Sequence, residues 1–476
     1  MGRFLNWWLV PYYSSLFLPD EYGIVTNLLA YEAFLLILLT YGMETGYFRF
    51  ASKSKDPEKV YSTSQVPLFV TSLLFLSLIF LFGNELAALI GYPDNPEYIL
   101  ILAAVVSIDA FTSIPFAKLR LENKPAKFAT VKMINIGLII GFNLFFLSLC
   151  PYLSKNFPGI PVNYIYSADI GVGYVFISYL LASLSTLVLL QKEIFSVKFQ
   201  IDKQLLREML NYSIPILVIG IAGMVNQNID KILIPFLVPD EHNPMFQVGI
   251  YGANYKLAVL MNMFIQAFRY AFEPFFFSRS SSSESDDPAI YAIVMKYFLV
   301  FGMLIFLGMT LYIDLVKLLI DINYHEGLKI VPLVLLANLF FGIFFSLSIW
   351  YKIKDLTRYG AYIALIGAAV TRVLNILLIP VMGYMGSAVA VLVCFFTMMV
   401  ITYIWGQKFY RVPYNLKRLI FYFLTGLSFY GISLLTDGLT PVYKYSANTF
   451  LMLVYVVLIY SIEKREIFQI LKRSKG

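Results

Sequence analysis

Seven stretches of this chain carry no charged residue: 66–83, 133–152, 170–190, 210–229, 330–351, 419–436 and 445–462. A helix crossing the hydrocarbon of a bilayer needs roughly 20 mostly apolar residues, and each stretch is near that length. Strands of a lipid-facing barrel would alternate polar and apolar residues, and these do not. Glycine and proline are scattered through them, as bilayer helices tolerate. Of the 476 residues, 59% are hydrophobic and only 14% charged, the latter about half the usual globular share. The fold class is therefore all-α integral membrane.

Hydropathy gives about fourteen spans: 2–18, 23–50, 65–83, 98–117, 128–150, 168–190, 209–237, 248–275, 291–313, 329–351, 359–380, 384–406, 418–436 and 444–462. The segments at 52–62, 118–127, 192–207, 276–290, 352–358, 408–418 and 463–476 hold 24 of the 36 lysines and arginines. The alternate segments hold Lys155, Lys317, Lys444 and little else. Cationic loops stay in the cytoplasm, so both termini are predicted cytoplasmic. The net charge of +7 follows from this topology and implies no nucleic-acid partner; the basic segments face anionic lipid headgroups. Residues 199–210 and 462–475 mix charge with apolar periodicity and are expected to lie along those headgroups. Residues 2–18 are apolar with Arg3 at their start. A spanning helix would need several more residues upstream, so the first span reads as truncated. Cys150 and Cys394 read as small buried hydrophobes. No metal-ligand spacing appears, and His242 and His325 are far apart.

The sequence also repeats. Residues 18–25 read LPDEYGIV and residues 237–250 read LVPDEHNPMFQVGI. Both contain Pro-Asp-Glu and a later Gly-Ile. Asn143 and Asn375 lie in spans that follow the basic segments KLRLENKPAK and KIKDLTR. The offsets are 239 − 19 = 220 and 375 − 143 = 232. Two six-helix halves in the same orientation, plus a terminal helix pair, would produce this. Parallel repeats about an axis along the membrane normal are a known transporter plan.

Residues 18–23 (LPDEYG), 41–50 (YGMETGYFRF), 119–125 (LRLENKP), 249–257 (GIYGANYKL) and 269–278 (RYAFEPFFFS) resemble polysaccharide-biosynthesis flippases. These are the O-antigen-type lipid-linked oligosaccharide translocases of the MOP exporter superfamily, which also holds MATE drug exporters and lipid II flippases. The resemblance implies a MATE-like, V-shaped arrangement: a lobe at 1–192, a second at 193–407, and a terminal pair with a cytoplasmic tail at 408–476. It implies alternating access around a central cavity in the bacterial cytoplasmic membrane. The implied substrate is a polyprenyl-pyrophosphate-linked oligosaccharide, with a polysaccharide polymerase and glycosyltransferases as partners. It implies no cofactor, and a coupling ion, H+ or Na+, that the residues do not select.

Function in such a chain is expected in ionisable residues within spans, where a central charge costs on the order of 3 kcal/mol. A pyrophosphate needs cations that stay charged in low dielectric, and arginine suits it through its planar fork. The candidate grips are Arg3, Arg49, Lys256, Arg269 and Arg372. Candidates for ion coupling or charge pairing are Glu32, Glu44, Asp109, Asp230 and Glu273. Blander readings stand beside these. Arg269 and Glu273, four apart, can neutralise each other; Arg49 and Lys132 can snorkel to the headgroups; Asp230 and Lys231 can be structural. Lys256 and Arg269 are 13 residues apart, about 220° around a helix, so they share no face unless the helix bends. A transporter makes and breaks no bond, so no catalytic residue is expected. The rival readings are a MATE-like cation-coupled exporter, which favours a net anionic cavity, and a membrane glycosyltransferase or polymerase, which favours a large outer loop.

Overall fold

The computed structural model describes residues 8–157, 161–197, 200–281, 288–354 and 356–473; side chains are described for all of these except 163, 273–281, 465 and 467–473. Arg3 lies outside the described residues, as does the start of the first span.

Every regular element among the described residues is helical. The principal ones are α1 (Leu9–Leu16), α2 (Pro19–Thr40), α3 (Met43–Ala51), α4 (Pro57–Leu89), α5 (Pro96–Leu121), α6 (Pro125–Leu144), α7 (Gly173–Leu189) and α8 (Lys203–Leu237). There follow α9 (Pro244–Leu257), α10 (Val259–Ser281), α11 (Pro288–Leu311), α12 (Val331–Leu347), α13 (Thr357–Met382), α14 (Tyr384–Phe409), α15 (Leu416–Leu434) and α16 (Pro441–Arg473). Among the described residues, ten helices, some of them joined across a kink, are long and apolar enough to cross a membrane. The expected fourteen exceed this because several spans are short or interrupted.

The helix starts are written in the sequence. α2, α4, α5, α6, α9, α11 and α16 each begin on a proline, whose fixed φ and missing N–H suit the first helical position. Side chains close other exposed N–H groups. Asp56 Oδ1 accepts from Lys59 N at 3.1 Å, Asp202 Oδ1 from Gln204 N at 2.9 Å and Leu205 N at 3.0 Å, and Asn415 Oδ1 from Arg418 N at 3.2 Å.

Some expected spans are broken. The second ends α2 at Tyr41 and restarts at Gly42, with φ of 35° and 72°. Gly42 needs that left-handed backbone, and a Cβ there would stand 2.7 Å from Ser213 O on α8. The eighth breaks at Ala258, between α9 and α10. α8 is the reverse case. Its 35 residues span roughly 52 Å, so residues 203–210 continue the seventh span instead of forming a separate headgroup helix. The fifth span leaves α6 through a π turn at Phe145–Leu149.

The chain divides into two compact units, Met1–Gly252 with Asn375–Tyr384, and Ala253–Leu374 with Met385–Gly476. In the first, Met43, Tyr47, Tyr61, Leu68, Ile114 and Met209 form a core where α3, α4, α5 and α8 meet. In the second, Phe344, Ile363, Val391, Cys394, Phe395 and Met398 do so between α12, α13 and α14. Cys150 and Cys394 are buried and free. Outward, α4 exposes Phe69, Val70, Leu73, Leu74, Leu78, Phe80 and Leu81, a surface suited to lipid tails.

Within the second unit two lysines tie α16 to α11 and its C-terminal turn. At one end Lys296 on α11 contacts Glu463 at 2.5 Å and Glu466 at 2.7 Å, both on α16. Tyr422 OH on α15 donates to Glu463. At the other end Lys444 on α16 contacts Asp314 at 2.6 Å and Asp437 at 2.7 Å.

Candidate membrane-embedded charge sites

The first unit holds a recess of about 330 Å³ lined by Leu36, Ile37 and Thr40 of α2, Glu44 of α3, Asp109, Thr112, Ser113, Phe116 and Arg120 of α5, and Phe128 and Lys132 of α6. The break at Tyr41–Gly42 carries Glu44 into it. At its mouth Arg120 and Glu44 form an ion pair, both side chains partly exposed, with the guanidinium 5.3 Å from the Phe48 ring and 5.5 Å from that of Phe128. Asp109 lies eleven residues along α5 from Arg120, roughly 16 Å deeper. It accepts from Ser183 Oγ at 2.8 Å and has Lys132 as its cationic neighbour. Lys132 Nζ sits 4.0 Å over the Phe116 ring. Glu32, one turn beyond Leu36, is half-buried and has Asp109 as its electrostatic neighbour. With every group ionised, three carboxylates face two cations, a net charge of −1.

The other candidates of this unit lie elsewhere. Arg49, exposed on α3, stacks 4.1 Å over the Tyr212 ring. Asp230 on α8 is 1% exposed, accepts from Tyr251 OH at 2.5 Å and lies 3.5 Å from Lys231 Nζ. It is built into the packing of α8 against α9.

In the second unit the break at Ala258 separates Lys256, half-buried near the end of α9, from Arg269 on α10. The straight-helix objection to their sharing a face is thereby removed. The Arg269 guanidinium lies 4.1 Å over the Phe345 ring, and its buried Nε has no hydrogen-bond partner among the described residues. The Glu273 side chain lies outside the described residues, so its pairing with Arg269 does too. Arg372, exposed on α13, has exposed Val373, Ile376 and Leu377 as helix neighbours. Among the described side chains, no carboxylate stands within ion-pair distance of Arg49, Arg269 or Arg372.

Sequence reasoning missed Arg120, which reads as a loop charge until α5 is seen to run through Leu121. It also missed the Lys296–Glu463 pair. The available signal was Glu463 and Glu466 at i, i+3, one face of α16.

Solved structures of membrane proteins share this helical fold. The lipid II flippase MurJ in an inward closed conformation matches with a TM-score of 0.72 at 16% identity, covering 98% of each chain. An inward-facing multidrug resistance MATE family transporter of the MOP superfamily matches at 0.67 and 11% identity, over 86% of this chain and 94% of that one. A MOP superfamily transporter from Pyrococcus furiosus, described as having a binding pocket of reverse polarity, matches at 0.53 and 12% identity, over 86% and 92%. At these identities the likeness is one of fold. No curated protein matches. The family model "Polysaccharide biosynthesis protein" matches residues 3–280, more than half of the chain. The chain belongs to that family.

Proposed function

We propose that this multi-pass membrane transporter is a flippase. Its substrate would be a polyprenyl-pyrophosphate-linked oligosaccharide, carried across the bacterial cytoplasmic membrane by alternating access for surface polysaccharide assembly. The reading takes the halves as lobes 1–192 and 193–407 with a terminal pair at 408–476, and places both termini and the basic loops in the cytoplasm. The observation that carries it is the set of arginines with no carboxylate partner among the described side chains: Arg49 on α3, Arg269 on α10 and Arg372 on α13. An arginine held against an aromatic ring keeps its fork open to phosphate oxygens. Substrate would bias the conformational equilibrium through its differential affinity for the two cavity states.

In this reading the recess of the first unit serves coupling. Its unbalanced charge is costly in a low dielectric, and one monovalent cation, a proton or sodium, restores neutrality at Glu32 and Asp109. A drug exporter is the rival outcome. Proteoliposomes loaded with a polyprenyl-pyrophosphate oligosaccharide separate the two by the appearance of lectin-accessible glycan on the opposite leaflet. Arg49→Ala and Arg269→Ala should each lower that rate roughly tenfold, equivalent to about 1.4 kcal/mol, with protein levels nearly intact. Full activity in the double variant would remove the phosphate-grip model. Drug efflux without glycan movement would remove the flippase.

A further inference from the structure

The second unit holds a recess of about 200 Å³ that the transport reading does not use. Lys296 of α11, Asn415 and Arg418 at the start of α15, and Glu466 of α16 supply its polar lining, and Ile293 and Leu419 are among its apolar residues. The charge pattern sets its depth. Uncharged residues run from 419 to 436 along α15 and from 445 to 462 along α16. Arg418 and Glu463 therefore stand at the boundary of the hydrocarbon, and the recess lies at the level of the lipid headgroups. Its charges are unevenly used. Lys296 Nζ donates to Glu463 Oε2 at 2.5 Å and to Glu466 Oε2 at 2.7 Å, and Tyr422 OH donates to Glu463 Oε1. Both carboxylates are thus served without Arg418. Its Nη1 is 3.6 Å from Glu463 and 3.9 Å from Glu466, beyond the roughly 3.2 Å reach of an N–H···O bond. Among the described residues the Arg418 side chain donates no hydrogen bond, and it is 47% exposed.

We propose that this recess binds the headgroup of an anionic glycerophospholipid, a role that goes beyond the flippase reading and stands without it. The phosphodiester sits on the Arg418 fork, whose planar donors match two phosphate oxygens. A headgroup hydroxyl donates to Glu466, which Lys296 engages through Oε2 alone. The acyl chains run along Phe421 and Leu424, which α15 exposes next on the way into the hydrocarbon. Binding breaks no hydrogen bond, because Lys296 and Tyr422 keep the carboxylates when the phosphate takes Arg418. The preference for a net negative headgroup comes from the surroundings. Lys296 and Arg418 balance Glu463 and Glu466, whereas residues 408–418 add Lys408, Arg411 and Lys417 and contain no acid. Basic pockets between membrane helices at headgroup level hold anionic lipids on this principle. A choline headgroup brings neither a net charge for those cations nor a donor for Glu466.

The test uses the full chain in detergent, titrated with dioctanoyl phosphatidylglycerol, dioctanoyl phosphatidylcholine or glycerol phosphate and read by native mass spectrometry. The parent should retain phosphatidylglycerol about tenfold more tightly than phosphatidylcholine, the worth of a charge-assisted hydrogen bond, and should not retain glycerol phosphate, which lacks the chains. Arg418→Gln should weaken phosphatidylglycerol binding about tenfold. Ala292→Phe, which fills the recess and leaves every charge in place, should weaken it as much, so the result does not hang on one variant folding. Equal retention of the two lipids by the parent overturns the proposal. So does phosphatidylglycerol binding that is unchanged in a variant eluting from size exclusion as the parent does. Glycerol phosphate held as tightly as phosphatidylglycerol makes the recess a site for soluble phosphates and overturns the lipid assignment.

Discussion

Lys296→Met would test whether the terminal helices are bound to the second unit by charge. The Lys296 side chain is 8% exposed and that of Glu463 is 0%. Two carboxylates, Glu463 and Glu466, face two cations, Lys296 and the half-exposed Arg418, whose guanidinium is 3.6 Å from Glu463. The cluster is neutral as it stands. Replacing Lys296 leaves both carboxylates with Arg418 alone, and stranding a buried charge costs about 3–5 kcal/mol. Glu463→Gln is milder, because Lys296 keeps Glu466 and the amide oxygen still accepts from Tyr422; about 1–3 kcal/mol is expected. The double variant should recover part of the Lys296→Met loss, since its carboxylates are reduced with its cations. In detergent, thermal unfolding followed by fluorescence-detected size exclusion should fall by about 10 °C for Lys296→Met, taking a few degrees per kcal/mol. Melting within about 2 °C of the parent, or no recovery in the double variant, would refute the charge-clamp account. α16 would then be held by apolar packing.

Two further outcomes follow from charges in the first unit. The Lys59 ammonium, 2.6 Å from Asp202, holds that carboxyl below the ordinary aspartate value of 3.8, helped by the Leu205 and Gln204 N–H groups. A depressed value stabilises the fold above the unfolded one, and the gain disappears as pH falls through the folded one. The melting advantage of the parent over Asp202→Asn should therefore be full at neutral pH, begin to fall near about pH 4 and vanish only once pH has dropped through the lower folded value; an advantage that does not decline on acidification below about pH 4 separates it from this carboxylate. Glu32→Gln removes the unbalanced charge of the recess, so driven transport should fall at least tenfold while melting temperature holds or rises. Transport with an unchanged dependence on proton and sodium gradients would take Glu32 out of coupling.

Membrane residence and the helical class were legible because hydrocarbon accepts no unpaired backbone, so each crossing needs its own uncharged run. Helix starts fall at prolines, whereas hydropathy placed those spans two to eight residues later. Breaks were not legible. The Tyr41–Gly42 turn depends on how closely Ser213 of α8 approaches, and Ala258 carries no local signal for ending a helix. Residues 199–210 looked separate because their charges interrupt the apolar pattern, yet nothing stops the helix between Lys203 and Leu237. Among the site candidates, Glu44 and Asp109 do share a recess, while Asp230 is occupied by Tyr251 and Lys231. Its partner Tyr251 is 21 residues away and looked like any other aromatic. Arg120 was hidden for the opposite reason: a basic loop residue joins the recess only once α5 is known to extend past it.

The two motif matches, offset by 220 and 232, bracket the positions at which the two copies of the sequence repeat compare. Stepping on by those offsets from Glu32 and Asp109 reaches 252–264 and 329–341, which contain no acid, whereas from Glu44 it reaches 264–276, which holds Glu273. The recess of the first unit therefore has no full set of acids at the matching positions of the second copy. Placing acids at the counterparts of Glu32 and Asp109 is a direct way to ask whether one chain can be made to carry two ions per turnover.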